Sequence, residues 1–253
     1  NGGLPVFAET KKEHNYKLRG STLEKHISPR TKALILNSPS NPSGQVYSKE
    51  ELAELAAAAL KNNFYIISDE VYEKLIYDGR KHFSIASLGE EIKKQTIVVN
   101  GVSKTYAMTG WRIGYAASEA EIAAIMSSIQ SHTASNPNSI AQKAAVAALA
   151  GPQDCVPKMR QSLAERRNYA FERINKMPFL TCAEPQGAFY LFVHVENTFS
   201  RKFRGVTIAN SDHLAELLLE HYMLALVPGK GFGAPGFVRL SYATSMENIR
   251  RGL

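Results

Sequence analysis

The sequence predicts an α/β fold with a mostly parallel sheet, followed by a smaller C-terminal α+β domain, and three observations lead to it. Short apolar runs at 33–36, 64–67 and 96–99 have the length and composition of buried strands. An amphipathic helical pattern stands between the first two, and the short connections around it suit a right-handed βαβ unit. Beyond Gly151-Pro152 the order changes to a long helix, a strand pair and alternating short elements. The expected domains are therefore residues 1–152 and 153–253.

Taken in order, the chain opens with Asn-Gly-Gly and an apolar Leu-Pro-Val-Phe segment. Ala33-Leu34-Ile35-Leu36 reads as a buried parallel strand that ends in the turn residues Asn37 to Gly44. Ser48 and Glu51 have the spacing of a capping box, and Leu52, Leu55, Ala56 and Ala59 then fall on one helical face. Asn62-Asn63 ends that helix. Phe64 to Ile67 forms the next strand and carries Ser68-Asp69-Glu70 at its end. Strands at 96–100 and 112–117 follow. Ser118 and Glu121 predict a second capping box, opening a helix with Ile122, Ile125, Met126 and Ile129 on its apolar face. A polar break at 131–138 precedes an Ala-rich helix over 139–150. The second half predicts a long amphipathic helix, a strand pair around 185–190, a helix over 210–222 and strands near 224–227 and 237–241. A last helix is opened by Thr244 and Glu247.

The totals exclude several function classes. The 253 residues are 44% hydrophobic and 21% charged, the composition of a globular protein with a sizeable core. No apolar run reaches the roughly 18 residues of a membrane span, and the first residues have neither the basic nor the apolar region of a signal peptide. Cys155 and Cys182 match no metal or redox spacing, which suits reduced thiols in the cytoplasm. The net charge of +7 raises nucleic acid as a partner. Yet Lys158, Arg160, Arg166, Arg167, Arg173 and Lys176 share a helix whose apolar face is Met159, Leu163, Ala170 and Ile174. That pattern predicts a solvated face, and no nucleic-acid partner. Gly231 to Gly236 matches G-x-G-x-x-G but precedes a strand and contains Pro235, so it reads as a loop. His213 and His221 share a helix at a spacing too wide for one metal ion, and no metal site is expected.

The chemistry gathers at 101–114, GVSKTYAMTGWRIG. Lys104 follows an apolar strand on a turn of small residues, the end at which a parallel sheet presents its ligand-binding groups. A lysine held there acts as a nucleophilic amine when its surroundings favour the neutral form. Arg112, eight residues on, offers paired donors suited to a phosphate. Lysine with a phosphate-binding arginine suggests a Schiff base with pyridoxal 5'-phosphate. Asp69, at a strand end, suits the protonated pyridine nitrogen of that cofactor. In the strand at 237–241, alternation sets Arg239 and Ser241 on one face and Val238 and Leu240 on the other.

This segment, with NSPSNPSG at 37–44, SDEVY at 68–72 and VRLSYA at 238–243, resembles the four ordered motifs of class I, fold-type I pyridoxal phosphate-dependent aminotransferases. The resemblance covers essentially the whole chain. It implies the large domain of that fold, partial here, over 1–152, with the family's small domain over 153–253. It also implies that Lys104 carries the cofactor, Asp69 meets the ring nitrogen, and Tyr72 and Asn41 bond the phenolic oxygen, with a cis Asn41-Pro42 bond. Arg112 clamps the phosphate and Ser103 adds a hydroxyl, since the family's frequent hydroxyl position is Gly101 here. Arg239, with Asn41 beside it, grips the substrate α-carboxylate. Lys104, Asp69 and Tyr72 form the catalytic set.

The function implied is transamination between an L-amino acid and a 2-oxo acid, aspartate or aromatic in type, in a cytoplasmic homodimer. The family's N-terminal segment, with its phosphate loop and the ring stacked on the cofactor, is not found before Asn1. Some aspartate aminotransferases read a distal carboxylate with an arginine after the helix that ends near Gln130; here the stretch is Ser131 to Asn136 and supplies none. A lyase or synthase on the same fold would share every cofactor residue, and a non-catalytic fragment is the alternative from another class.

Overall fold

The computed structural model describes residues 2–253, which divide into two compact units. The first holds the residues up to Pro39 together with Gln45–Pro157, and the second holds Ser40–Gly44 with Lys158–Leu253.

The first unit contains α1 (Gly20–Glu24), β1 (Ala33–Asn37), α2 (Lys49–Asn62), β2 (Tyr65–Asp69), α3 (Glu90–Lys94) and β3 (Thr96–Gly101). It continues with α4 (Val102–Thr105), β4 (Gly114–Ala117), α5 (Ala120–Thr133) and α6 (Ser139–Ala150). Its sheet has the order β1-β2-β3-β4, with the first three strands parallel and β4 antiparallel to β3. The Ser48–Glu51 capping box forms as the spacing predicts, and Asn63 closes α2 in the left-handed conformation at φ 52°. Leu52, Leu55, Ala56 and Ala59 of α2 are buried in one cluster with Leu36, Phe64, Ile66, Ile85 and Ile92. Truncating a side chain as enclosed as Leu55 to alanine costs about 2–5 kcal/mol, enough to threaten a domain of marginal stability.

Three expectations are corrected here. The second capping box does not form: α5 starts at Ala120 behind Glu119, and the Ser118 hydroxyl instead donates to the Glu119 carbonyl. Ile125 and Ile129 of α5 are 61% and 58% exposed while Ile122 and Met126 are half-buried, so its apolar face is only partly covered among the described residues. β1 pairs in parallel, but as the outer strand of the sheet it leaves Ile35 76% exposed, where a buried strand was expected.

The second unit contains α7 (Cys155–Asn175, from Lys158 onward), β5 (Thr181–Cys182), β6 (Tyr190–His194), β7 (Lys202–Phe203) and β8 (Val206–Thr207). It ends with α8 (Ser211–Tyr222), β9 (Val227–Pro228), β10 (Phe237–Ser241) and α9 (Met246–Gly252). An antiparallel sheet has the order β5-β6-β10-β9, and β7-β8 is a separate hairpin. Val238 and Leu240 are buried while Arg239 is half-buried and Ser241 exposed, the alternation that the sequence predicts. Leu163, Ala170 and Ile174 of α7 are buried as its apolar face.

Arg167 departs from the solvated face assigned to it. It is 2% exposed, because the carbonyl of Pro185 and the side chain of Asn168 supply acceptors in the interior. At α9 the cap is Ser245, whose hydroxyl accepts from the Asn248 amide, while Thr244 accepts from the Asn248 side chain. Among the described residues no helix is long and apolar enough to cross a membrane, and no group of side chains has the makings of a metal site.

Candidate active site

In the first unit, the parallel register brings Asn37 and Asp69 together at the ends of β1 and β2, with Val99 of β3 opposite Asp69. The Asp69 carbonyl accepts from the Asn37 side chain and the Ser38 amide, both at 3.1 Å. The Asp69 carboxylate accepts from the Val71 amide at 3.2 Å. These bonds fix both the backbone and the carboxylate of a residue at the strand end, where a doubly wound sheet binds ligands. Tyr72 follows on the next turn and is 3% exposed.

β3 ends at Gly101, and the single helical turn of α4 then presents Ser103 and Lys104, both half-buried. The Lys104 amine lies 5.9 Å from the centre of the Tyr72 ring. Amine, phenol and carboxylate are thus carried by adjoining elements of one sheet end.

Arg112 adopts the left-handed conformation at φ 54° in the turn before β4, and its guanidinium donates to the Thr109 carbonyl at 2.9 Å. It lines an open cavity of about 740 Å³ with Ala107, Gly110, Trp111, Pro137, Asn138 and Ala141. Asn138 caps α6 by accepting from the Ile140 and Ala141 amides, so the cavity borders a helix N-terminus as well as a guanidinium. Both favour an anion. Lys104, Asp69 and Tyr72 are not in the lining of this cavity.

In the second unit, Arg239 projects from β10 and donates from Nη1 to the Asn41 Oδ1 at 2.8 Å. Its guanidinium carbon lies 4.5 Å from the Tyr190 ring centre and 5.2 Å from that of Phe232. Nε is buried and meets no hydrogen-bond partner. A buried guanidinium N–H without an acceptor is costly, and a carboxylate is the group that relieves it best. The Asn41-Pro42 peptide is cis, as is Ser38-Pro39.

Two features of the site were not legible in the sequence. Glu70, directly after Asp69, is buried and accepts from the hydroxyls of Ser68 (2.9 Å) and Ser84 (2.7 Å), with His82 Nε2 at 2.8 Å. Ser68 is two residues away, but His82 and Ser84 lie too far along the chain to form a local pattern. Tyr190 and Phe232 flank Arg239, and only the β6–β10 register, which sets Tyr190 opposite Ser241, places the first of them there.

The description "Aminotransferase class I and II" belongs to the family whose model matches residues 1–253. An aspartate aminotransferase of Bacillus sp. (strain YM-2) is 47% identical over 252 residues, covering 100% of this chain and 63% of the relative. One from Geobacillus stearothermophilus is 48% identical over 248 residues, with 98% and 62% covered. Among solved structures, an aspartate aminotransferase from Thermus thermophilus with maleate superimposes with a TM-score of 0.90 at 39% identity. That match covers 99% of this chain and 63% of the other. The chain therefore spans somewhat less than two thirds of the length of these relatives.

Proposed function

Because the chain belongs to the class I and II aminotransferase family, we propose that it provides the lysine, the ring-nitrogen partner and the substrate-gripping arginine of a pyridoxal phosphate-dependent transaminase. The reaction moves an amino group from an L-amino acid to a 2-oxo acid, with aspartate as the favoured type of donor. The observation that carries this reading is the placing of Lys104 on the turn after β3, 5.9 Å from the buried Tyr72 ring, with Asp69 fixed at the end of the neighbouring strand.

The residues present fit the cofactor: an amine for its aldehyde, a carboxylate for its ring nitrogen, a phenol for its phenolic oxygen and a guanidinium for its phosphate. When bound, pyridoxal phosphate supplies an electron sink for the charge that develops at the substrate α-carbon. Asp69 keeps the ring nitrogen protonated. Tyr72 donates to the phenolic oxygen, and Asn41 bonds the same atom. Arg112 and Ser103 hold the phosphate. Lys104, with its amine free, would take the proton from the substrate α-carbon as general base and then deliver it as general acid. Arg239 orients the substrate by its α-carboxylate.

We assign cofactor binding to residues 1–152 and the smaller domain to 153–253. The partners are the amino acid and 2-oxo acid, and the assembly is a cytoplasmic homodimer, in keeping with the family. Borohydride reduction of the chain incubated with pyridoxal phosphate, followed by peptide mapping, tests this. The expected result is a single adduct on Lys104, absent from Lys104→Ala. An adduct spread over surface lysines, or none in a folded chain, overturns it.

A further inference from the structure

Arg167 is a helix residue with its side chain only 3% exposed, and its Nη2 lies 3.9 Å from a carboxylate oxygen of Glu184, whose side chain is 57% exposed. An ion pair of that geometry does not offset the cost of burying a guanidinium. Arg167 also donates to neutral acceptors. Nε and Nη2 both donate to Asn168 Oδ1, at 2.9 and 2.7 Å, and Nη1 donates to the Pro185 carbonyl at 3.0 Å. The Pro185 bond fixes the turn that follows.

The turn in question holds Gly44. The amides of Gln186 and Gly187 both donate to the Gly44 carbonyl at 2.8 Å. Gly44 itself sits at φ +70°, and a Cβ there would lie 2.6 Å from the Pro185 Cβ and 3.0 Å from the Gly187 carbonyl. Only glycine allows so close an approach. Three residues before Gly44 stands Asn41, whose Oδ1 receives Arg239 Nη1. A continuous series of hydrogen bonds and one short stretch of backbone therefore runs from Arg167 through Pro185 and Gly44 to Asn41 and Arg239.

We propose that Arg167 is a positioning residue for the substrate-carboxylate site: it fixes the 185–187 turn, which fixes Gly44 and Asn41, which set the Arg239 guanidinium. The proposal rests on the reading that Arg239 binds the carboxylate. Arg167 is not among the residues assigned to substrate or cofactor; acting through Asn41, its effect falls on substrate affinity while the covalent attachment at Lys104 persists.

The test uses the cofactor-loaded chain, with maleate as the carboxylate probe. In Arg167→Met, which keeps the bulk and removes the donors, amide exchange at Gln186 and Gly187 speeds up and maleate binds about tenfold more weakly, the loss expected for one misplaced hydrogen bond to a charged group. The borohydride adduct on Lys104 is unchanged. Arg167→Lys restores most of the affinity by donating to the Pro185 carbonyl. Should Arg167→Met not fold, Gly44→Ala displaces the same turn from its other side and carries the same expectation.

Faster exchange with maleate affinity intact, in whichever of these variants folds, makes Arg167 a purely structural residue and overturns the proposal. Unchanged exchange in Arg167→Met does the same. Arg239→Lys separates the two levels. If it loses maleate binding while Arg167→Met keeps it, the positioning role alone is wrong. If wild-type chain binds no maleate, or Arg239→Lys binds it as well as wild type, the reading of Arg239 fails and the role of Arg167 falls with it.

Discussion

Arg239 and Asn41 stand 198 residues apart in sequence and are joined by a 2.8 Å hydrogen bond that orients one side of a guanidinium and leaves its buried Nε without an acceptor. A pre-aimed cation of this kind gains more from a carboxylate than a mobile one, since less freedom is lost on binding. Arg239→Lys replaces the planar fork with a point charge. Two charge-assisted bonds at about 1.5 kcal/mol each correspond to about 100-fold weaker binding of an amino acid or of maleate. Asn41→Ala is expected to weaken binding about tenfold and also to shift the absorption band of the bound cofactor, which Arg239→Lys leaves in place. Equal affinity in wild type and Arg239→Lys, measured by calorimetry, would sink the assignment.

Arg112 is assigned to the cofactor phosphate, and pyridoxal without its phosphate is the matched control. Removing one exposed guanidinium contact to a dianion costs roughly 1.5–3 kcal/mol. Arg112→Ala should therefore retain pyridoxal phosphate about 10- to 100-fold less tightly and bind pyridoxal as wild type does. Equilibrium dialysis with both compounds decides it: a variant that weakens on both has lost the pocket and not the phosphate contact.

Tyr47 ties stability to alkaline pH. Burial, reinforced by the Glu51 charge, raises its phenol from 10.0 to about 12, against the lowering effect of the Leu18 amide that donates to its oxygen at 2.7 Å. The folded state therefore keeps this proton after the unfolded chain has released it. The associated stability is complete below pH 10 and is lost as pH climbs toward 12, by about 3 kcal/mol at 1.4 kcal/mol per unit. The half-buried Cys182, its thiol raised by desolvation from 9.0 to about 12, adds to the same decline from about pH 9 upward. Urea midpoints between pH 8 and 11 measure it. Tyr47→Phe should be less stable at pH 8, where Leu18 loses its acceptor, and less steep above pH 10. A wild-type midpoint that does not move between pH 9 and 11 contradicts the assignment.

What the sequence made legible was local, or carried by a motif. The Ser48–Glu51 box and the Asn63 stop depend on residues within one turn of each other, and both form. The alternation around Arg239 is likewise a property of five consecutive residues. Ser118 and Glu121 have the same spacing as Ser48 and Glu51 yet make no box, because Ser118 spends its hydroxyl on the Glu119 carbonyl and the helix starts beyond it. Arg167 was misread because its acceptor, the Pro185 carbonyl, lies 18 residues away on a loop. Ile125 and Ile129 have a buried-helix pattern and are exposed, since a periodic pattern states which face is apolar and not what lies over it. Of the candidate site, the motifs pointed to Lys104, Asp69 and Arg239. The surroundings that give them geometry, Glu70 with His82 and Arg239 with Tyr190, required the fold.

The five residues Ser40–Gly44 belong by their contacts to the second unit, although the chain on either side of them belongs to the first. During synthesis this segment leaves the ribosome before β10, which carries Arg239. Closing a loop of 198 residues adds only modestly to the entropy cost, because that cost grows with the logarithm of length. It does set a timetable, in which an early-made piece is stored until its late-made partner arrives. A protein cut at 157/158 would yield a second half without its Asn41. Restoring the Arg239 contact there would require a short synthetic peptide spanning 38–46, offered in trans like a missing piece of a split reporter.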